Sequence, residues 1–364
     1  MATSIQLRRT NRNEVYRAIL REKETTKQLL ANQLRLSFPT VSQILSELEE
    51  EGLIASTGES RRTGGRKAQI IASRPDVHVA LGLDITPNHI NLVMVDLGRN
   101  ILKSVREHIR YEASDDYYRH LQEVIDTVSE DYRDRVLGMV ISIPAIVRED
   151  GQTVTYAPLL KDSLGLYHLL EPYIRYPYYL INDASAAAYS EITEGCARSD
   201  FVYLMLSNTV GGAIISDGQI RQGLGIRAGE FGHVTLVPAG RRCYCGQLGC
   251  VDAYCSALQL SDQLEPYFAK LAAGDTGAKE KWEEYLEYLA VVINNLQVSM
   301  NQEIVIGGYV GWFIKPYLPG LQQRVSDLCC FKDETVRISA GQYAAEAAAV
   351  GAALQIIDEF IRNV

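Results

Sequence analysis

Apolar positions in the first seventy residues recur at helical spacing. Val15, Ile19 and Leu20 share one face of a helix over residues 12–22. Thr25 or Thr26 can cap a second helix, KQLLANQL, in which Leu29, Leu30 and Leu34 repeat with the same period. Ser37 then caps a third helix through PTVSQILSELEEEG, with Pro39 in its first turn and Gly52 closing it. Its Val41, Ile44, Leu45 and Leu48 form a stripe that turns Ser42, Gln43 and Ser46 outward, with Thr40 at the edge. The following GLIASTGESRRTGGRKAQIIA predicts a hairpin whose glycine-rich loop carries Arg61, Arg62, Arg66 and Lys67.

After Arg74-Pro75 the pattern changes, predicting one domain over 1–75 and another over 76–364. VALGLDI (79–85), INLVMVDL (90–97) and ILKSVREHI (101–109) are consecutive β-type runs. A helix over 115–134, the strand LGMVISI, a helix over 163–175, the strand YPYYLI and a helix over 183–194 follow. FVYLMLS (201–207) and GGAIIS (211–216) open a second cycle, which ends in a helix near 278–299, the strand EIVIGG and an alanine-rich closing helix. Two cycles of this kind predict a duplicated α/β domain with a cleft between its lobes. Ala186–Ala188 and Ala344–Ala349 fit close helix packing against the sheet.

A composition of 47% hydrophobic and 22% charged residues supports large cores and argues against disorder. No apolar run approaches ~18 residues and the N-terminus is polar, so neither a membrane span nor a signal peptide is expected and the location is cytoplasmic. The net charge of -9 argues against nucleic acid until it is divided. Residues 1–75 hold 13 Lys/Arg and 8 Asp/Glu, a net of +5, and the rest holds 23 against 37, a net of -14. A helix pair with a small polar outer face, joined to a basic hairpin on a cationic head, is a winged helix-turn-helix for double-stranded DNA. Thr40, Ser42, Gln43 and Ser46 would face base edges, while Arg66 and Lys67 would meet phosphates.

Seven cysteines without a secretory signal imply a reducing compartment. Within AGEFGHVTLVPAGRRCYCGQLGCVDAYCS, His233, Cys243, Cys245 and Cys250 follow one another at intervals of ten, two and five. Three thiolates and an imidazole suit tetrahedral Zn2+, and four protein ligands leave no open position for a catalytic water, so the zinc is structural. Cys196, Cys255, Cys329 and Cys330 lack such company and are expected in the core.

GEFGH followed by CYCGQLGCVD resembles the signature of the ROK family (repressors, open reading frames and sugar kinases), and the likeness extends over nearly the whole chain. The head resembles its repressor branch. The body then implies a two-lobed actin-like sugar-kinase fold (ASKHA, ribonuclease H-like). By resemblance, the strand-end pair Asn182-Asp183 binds sugar, and Asp183 stands where the kinases keep their general base. Glu230 and His233 of GEFGH add contacts, the histidine offering sugar one ring nitrogen and zinc the other. Asp252 takes the place of the family's glutamate two positions after the last cysteine.

The departures bear on function. A glycine-rich Asp-Gly-Gly-Thr-like turn is here Asp84-Ile85-Thr86-Pro87-Asn88, whose proline removes an amide donor. Gly-Thr-Gly-Ile-Gly is Ser207-Asn208-Thr209-Val210-Gly211, placing Cβ atoms where phosphates approach; Gly307-Gly308 persists. On the sugar side Ala-Pro-Asn-Leu becomes Ala157-Pro158-Leu159-Leu160, and Pro-Gly becomes Pro144-Ala145.

The expected function is therefore a sugar-responsive repressor of carbohydrate genes. A homodimer or dimer of dimers would bind an operator, with a small sugar or sugar derivative as effector. An ATP-dependent sugar kinase with an appended DNA-binding head is the alternative, which the eroded turns oppose because phosphoryl transfer depends on positioning and charge neutralisation. A repressor whose body binds another protein is a third reading.

Overall fold

In the computed structural model, which describes residues 4–63, 66–192, 199–331 and 336–364, the head opens with α1 (Ser4–Glu22) and strand β1 (Glu24–Thr26). Helices α2 (Lys27–Leu34) and α3 (Phe38–Glu50) follow. α1 starts eight residues before the predicted position 12 because its first turns are polar and exposed, and so carry no apolar stripe. Thr26 caps α2 by accepting the Leu29 amide, and Ser37 caps α3 by accepting that of Thr40. Between the helices Arg35 turns left-handed at φ 54°. Val41, Ile44, Leu45 and Leu48 are all buried. Strands β2 (Ile54–Thr63) and β3 (Arg66–Ser73) pair antiparallel as the wing, and β1 joins β3 as an edge too short for periodicity to reveal.

The first lobe contains β4 (Val79–Ile85), β5 (His89–Asp96), β6 (Ile101–His108), α4 (Asp115–Ser129) and β7 (Val136–Ile143). A small hairpin, β8 (Ile146–Val147) and β9 (Val154–Tyr156), precedes α5 (Leu166–Leu170), β10 (Tyr178–Asn182) and α6 (Asp183–Ser190). The second lobe holds β11 (Phe201–Leu206), β12 (Val210–Ser216), β13 (Gln219–Ile220), α7 (Asp252–Cys255), α8 (Leu264–Ala272) and α9 (Thr276–Met300). It closes with β14 (Glu303–Gly307), α10 (Gly308–Ile314), α11 (Leu318–Leu328) and β15 (Ile338–Ala340), before α12 (Ala347–Asn363) ends the chain.

The sheets run β10-β7-β4-β5-β6 and β13-β12-β11-β14-β15. In each, three strands form an antiparallel meander, and two more add in parallel beside the first. The duplication predicted from two strand-helix cycles is thus realised strand for strand. α12 crosses back and packs on β4, β5, β7 and α6 of the first lobe. The expected alanine packing is found there: a Cβ built on Gly82 of β4 would lie 1.9 Å from the Ala349 carbonyl oxygen.

Several boundaries differ from expectation. The helix predicted over 163–175 is reduced to α5, because Pro172 has no N–H to continue the ladder. α6 stops at Ser190, and positions 193–194 of its predicted span lie outside the described residues. Cys255 is in the core, but Cys329 is half-buried and Cys330 exposed, since α11 ends before them; Cys196 lies outside the described residues. Among the described residues no helix is long and apolar enough to cross a membrane.

Head and body share apolar packing. Val15 and Ile19 of α1 belong to the same buried cluster as Val93 and Val95 of β5 and Leu354, Ile357 and Ile361 of α12. At the end of α12, Asn13 donates to the Ile361 carbonyl and Arg9 to the Asn363 side chain. On its other flank α1 sends Arg8 to Glu47 and Arg12 to Glu51 of α3.

Candidate functional site: a metal cluster beside an interlobe cleft

The loop between β13 and α7 gathers the four predicted metal ligands. His233 ends a short helical turn (Phe231–His233), and two glycines with positive φ, Gly246 and Gly249, fold the cysteine loop back on itself. Ligand atoms of His233, Cys243, Cys245 and Cys250 all lie within 4.8 Å of one another. Sulfurs on a tetrahedral zinc with Zn–S of ~2.3 Å stand about 3.8 Å apart. Cys245 Sγ and Cys250 Sγ are 3.8 Å apart, and Cys243 Sγ is 3.9 Å from His233 Nδ1. The donor set therefore fits a closed four-ligand site. Burial pushes the Cys243 thiol up to about 12 and raises that of Cys250, so a cluster of thiolates here calls for a compensating cation.

The other nitrogen of His233, Nε2, lies 3.2 Å from the hydroxyl of Tyr244. Tyr244 escaped the sequence reading, although its place between two ligand cysteines puts it beside the histidine. It lines both a 60 Å³ cavity and a neighbouring 430 Å³ cavity.

Asn182, Asp183, Glu230 and His233 meet around the smaller cavity. The strand-to-helix junction arranges the first two. Asn182 ends β10 and caps α6 by accepting the Ser185 amide at 2.9 Å, while its Nδ2 donates to the Ala145 carbonyl at 3.2 Å. Asp183 Oδ1 accepts the Ala184 amide at 2.8 Å and Asn182 Nδ2 at 3.1 Å; its Oδ2 takes no hydrogen bond among the described residues. Burial, then repulsion from Asp84 and Glu230, pushes Asp183 up to about 7. Glu230 is also raised, chiefly by burial. Asp252 stands apart. It lines the larger cavity, and its Oδ2 accepts the Val210 amide at 2.7 Å.

The larger cavity occupies the cleft where the turns over 84–88 and 207–211 both contribute lining residues. Thr86 closes the first turn on itself: its hydroxyl donates to the His89 carbonyl and accepts the His89 amide, both at 2.9 Å. In the second turn the Ser207 amide goes to the Thr209 carbonyl and the Val210 amide to Asp252. Both turns thus spend hydroxyl or amide groups internally. Leu159, Met205, Leu258 and Ala347 give the cavity apolar walls, and Asp84 joins Asp183 and Asp252 as a third carboxylate, pushed up to about 6 by burial against hydrogen bonds from Ser142 and Asn91. Arg106 of β6 stands over the ring of Tyr309 on α10, 5.9 Å from its centroid, bridging the lobes. Asp84 and Tyr309 are further cleft residues that the sequence reading did not select as ligand contacts.

On the head, Gln43 and Ser46 are exposed, and Thr40 and Ser42 half-buried. Thr40 Oγ1 lies 2.8 Å from Ser37 Oγ, so the helix cap shares its hydroxyl. Arg66 and Lys67 pair with Thr63 and Arg62 in the wing, and their side chains lie outside the described residues.

A model of the ROK family matches residues 80–359. The chain belongs to the ROK family. A winged helix-turn-helix DNA-binding model matches residues 8–55. Among curated ROK relatives, the chain is 23% identical over 327 residues to the xylose repressor of Bacillus subtilis, covering 82% of each. It is 26% identical to the DNA-binding transcriptional dual regulator NagC of Escherichia coli, over 88% of this chain and 85% of that one. A xylose repressor of Caldicellulosiruptor bescii is 26% identical over 70% of this chain and 66% of its own length. Of solved structures, a ROK family transcriptional regulator described as a homolog of the E. coli MLC protein superposes with TM-score 0.75 at 21% identity, over 98% of this chain and 97% of that one. A ROK hexokinase from Thermus thermophilus gives 0.64 at 24% identity, over 78% and 99%. The first likeness extends the shared fold through the head; the second covers a share of the chain similar to that of the body.

Proposed function

We propose that this ROK protein is a sugar-responsive transcriptional repressor of carbohydrate genes. Its head binds a double-stranded operator, with Thr40, Ser42, Gln43 and Ser46 toward base edges and Arg66 and Lys67 toward phosphates. Asn182, Asp183, Glu230 and His233 hold a small sugar or sugar derivative, and Asp252 shapes the turn beside it. Zn2+ bound by His233, Cys243, Cys245 and Cys250 would supply structure alone: it would fix the loop and the direction in which His233 presents Nε2. The protein works in the cytoplasm as a homodimer or dimer of dimers, so that two heads meet a pseudo-palindromic site.

The observation that carries this reading is the physical link from cleft to head. α6 begins at Asp183 and packs on α12, whose far end is hydrogen-bonded to α1. Sugar that favours one placement of α6 then biases the placement of α3. The names of the curated relatives, xylose repressor and NagC, support the same direction.

The enzymatic alternative is disfavoured by the cleft itself. Asp183 stands ready as a base, but the Thr86 hydroxyl and the Ser207 and Val210 amides donate to protein, which leaves fewer donors for a phosphate. The test is a pair of measurements on the full chain: operator affinity with and without each sugar of a panel, and ADP release from ATP and Mg2+ with the same panel. The repressor reading expects one sugar to change operator affinity at least tenfold with no ADP formed. Turnover, or sugar-independent DNA binding throughout, would overturn it.

A further inference from the structure

A third cavity, of 230 Å³, adjoins the sugar site on the side away from the eroded turns. Asn182 and Glu230 line both spaces, so the two adjoin at residues that would hold the sugar. Its walls are unlike those of the apolar cleft. Ser185 of α6, Arg148 and Glu149 after β8, Gln222 after β13 and Gln355 of α12 bring donors and acceptors to it from four parts of the chain. Gln355 is the informative one. Its Oε1 accepts the Tyr179 hydroxyl at 3.4 Å, while Nε2 is buried and has no hydrogen-bond partner among the described residues. A buried amide donor left unpaired costs stability. Because the Gln355 side chain lines the cavity and is held, among the described residues, only by the long Tyr179 contact, a turn of its terminal amide would carry Nε2 to a ligand there.

We infer that this cavity is a second sugar subsite and that the effector is a disaccharide or longer oligosaccharide, a hydroxyl of its neighbouring ring accepting from Gln355 Nε2. The inference rests on the sugar-binding reading above and names its ligand class. Hydroxyl-rich rings need dispersed donors and acceptors, which make up more of this cavity's wall than of the larger cleft's. The placement also matters for signalling, because Gln355 belongs to the helix whose C-terminal end holds α1. A second ring would touch that helix directly, whereas a monosaccharide reaches it only through α6.

The experiment is calorimetric titration of the full-length protein with matched pairs: xylose and xylobiose, glucose with cellobiose and maltose, N-acetylglucosamine and its chitobiose. One disaccharide is expected to bind at least tenfold tighter than its own monosaccharide. Gln355→Leu should erase that advantage while leaving the monosaccharide within twofold. Arg148→Ala, on the exposed rim and harmless to folding, should reduce it at least threefold. A monosaccharide that binds as tightly as its disaccharides, or a preference untouched by both variants, overturns the inference and leaves the sugar reading standing. A protein that binds operator DNA but no sugar of either kind overturns both.

Discussion

Gly351 of α12 lies directly against Ala186 of α6: a Cβ built on the glycine would stand 1.8 Å from the Ala186 carbonyl oxygen. Two helices this close move together, because neither backbone can slide past the other without a clash. One begins at Asp183 and the other ends against the head, so the contact lies between cleft and head.

Gly351→Ala therefore tests the link. Alanine would favour the helix by about 1 kcal/mol, but forcing two backbones apart costs about 1–3 kcal/mol, so overpacking wins. Denaturant midpoints should fall. Sugar should also change operator affinity less than in the wild-type protein, as measured by fluorescence anisotropy. An unchanged midpoint would mean that the helices separate freely.

Removing one thiolate should remove the metal. Elemental analysis is expected to find about one zinc per chain in the wild-type protein and almost none in Cys245→Ser. The loop that presents Glu230 and His233 would loosen with it, lowering the melting temperature and weakening sugar binding together. A metal-free protein with the same stability would exclude the structural role.

The carboxylate pair of the cleft sets a pH dependence. Burial holds Asp84 at about 6 and Asp183 at about 7, above the unfolded carboxylate value of ~3.9. The folded state then keeps protons that the unfolded state has released, and stability falls as pH rises through that window. Between about pH 4.5 and about 7, melting temperature should decline at constant salt on this account and level off above it, and Asp183→Asn should flatten the slope. A melting temperature that rises over this range would contradict the buried placement.

For the wing, Arg66→Ala with Lys67→Ala should weaken binding to all DNA sequences alike and reduce the salt slope by about two. Gln43→Ala should instead weaken the operator selectively, at a cost of about 1–3 kcal/mol. Titrations of operator and scrambled DNA at several salt concentrations separate the two effects.

The local pattern carried much of this molecule. Ser37 and the stripe Val41–Ile44–Leu45–Leu48 sufficed to place α3, because a cap and a period are properties of neighbours in sequence. The His/Cys cluster was legible for the same reason: His233 to Cys250 is one short loop. Paired β-runs followed by alternating strands and helices were enough to predict two lobes. Legibility failed where partners are distant. Gln355 is an ordinary helix residue until Tyr179, Asn182 and Glu230 are folded around the same cavity. Asp252 matches a sugar contact by position, yet its side chain holds the Val210 amide.

The sequence by itself determined a cationic head, an acidic duplicated body and a loop that gathers one histidine and three cysteines, since each depends on residues close together in the chain. Only the tertiary structure decided that α12 returns to the first lobe, seals against α6 at Gly351 and reaches α1. That choice rests on contacts between residues more than a hundred positions apart, which no local period encodes.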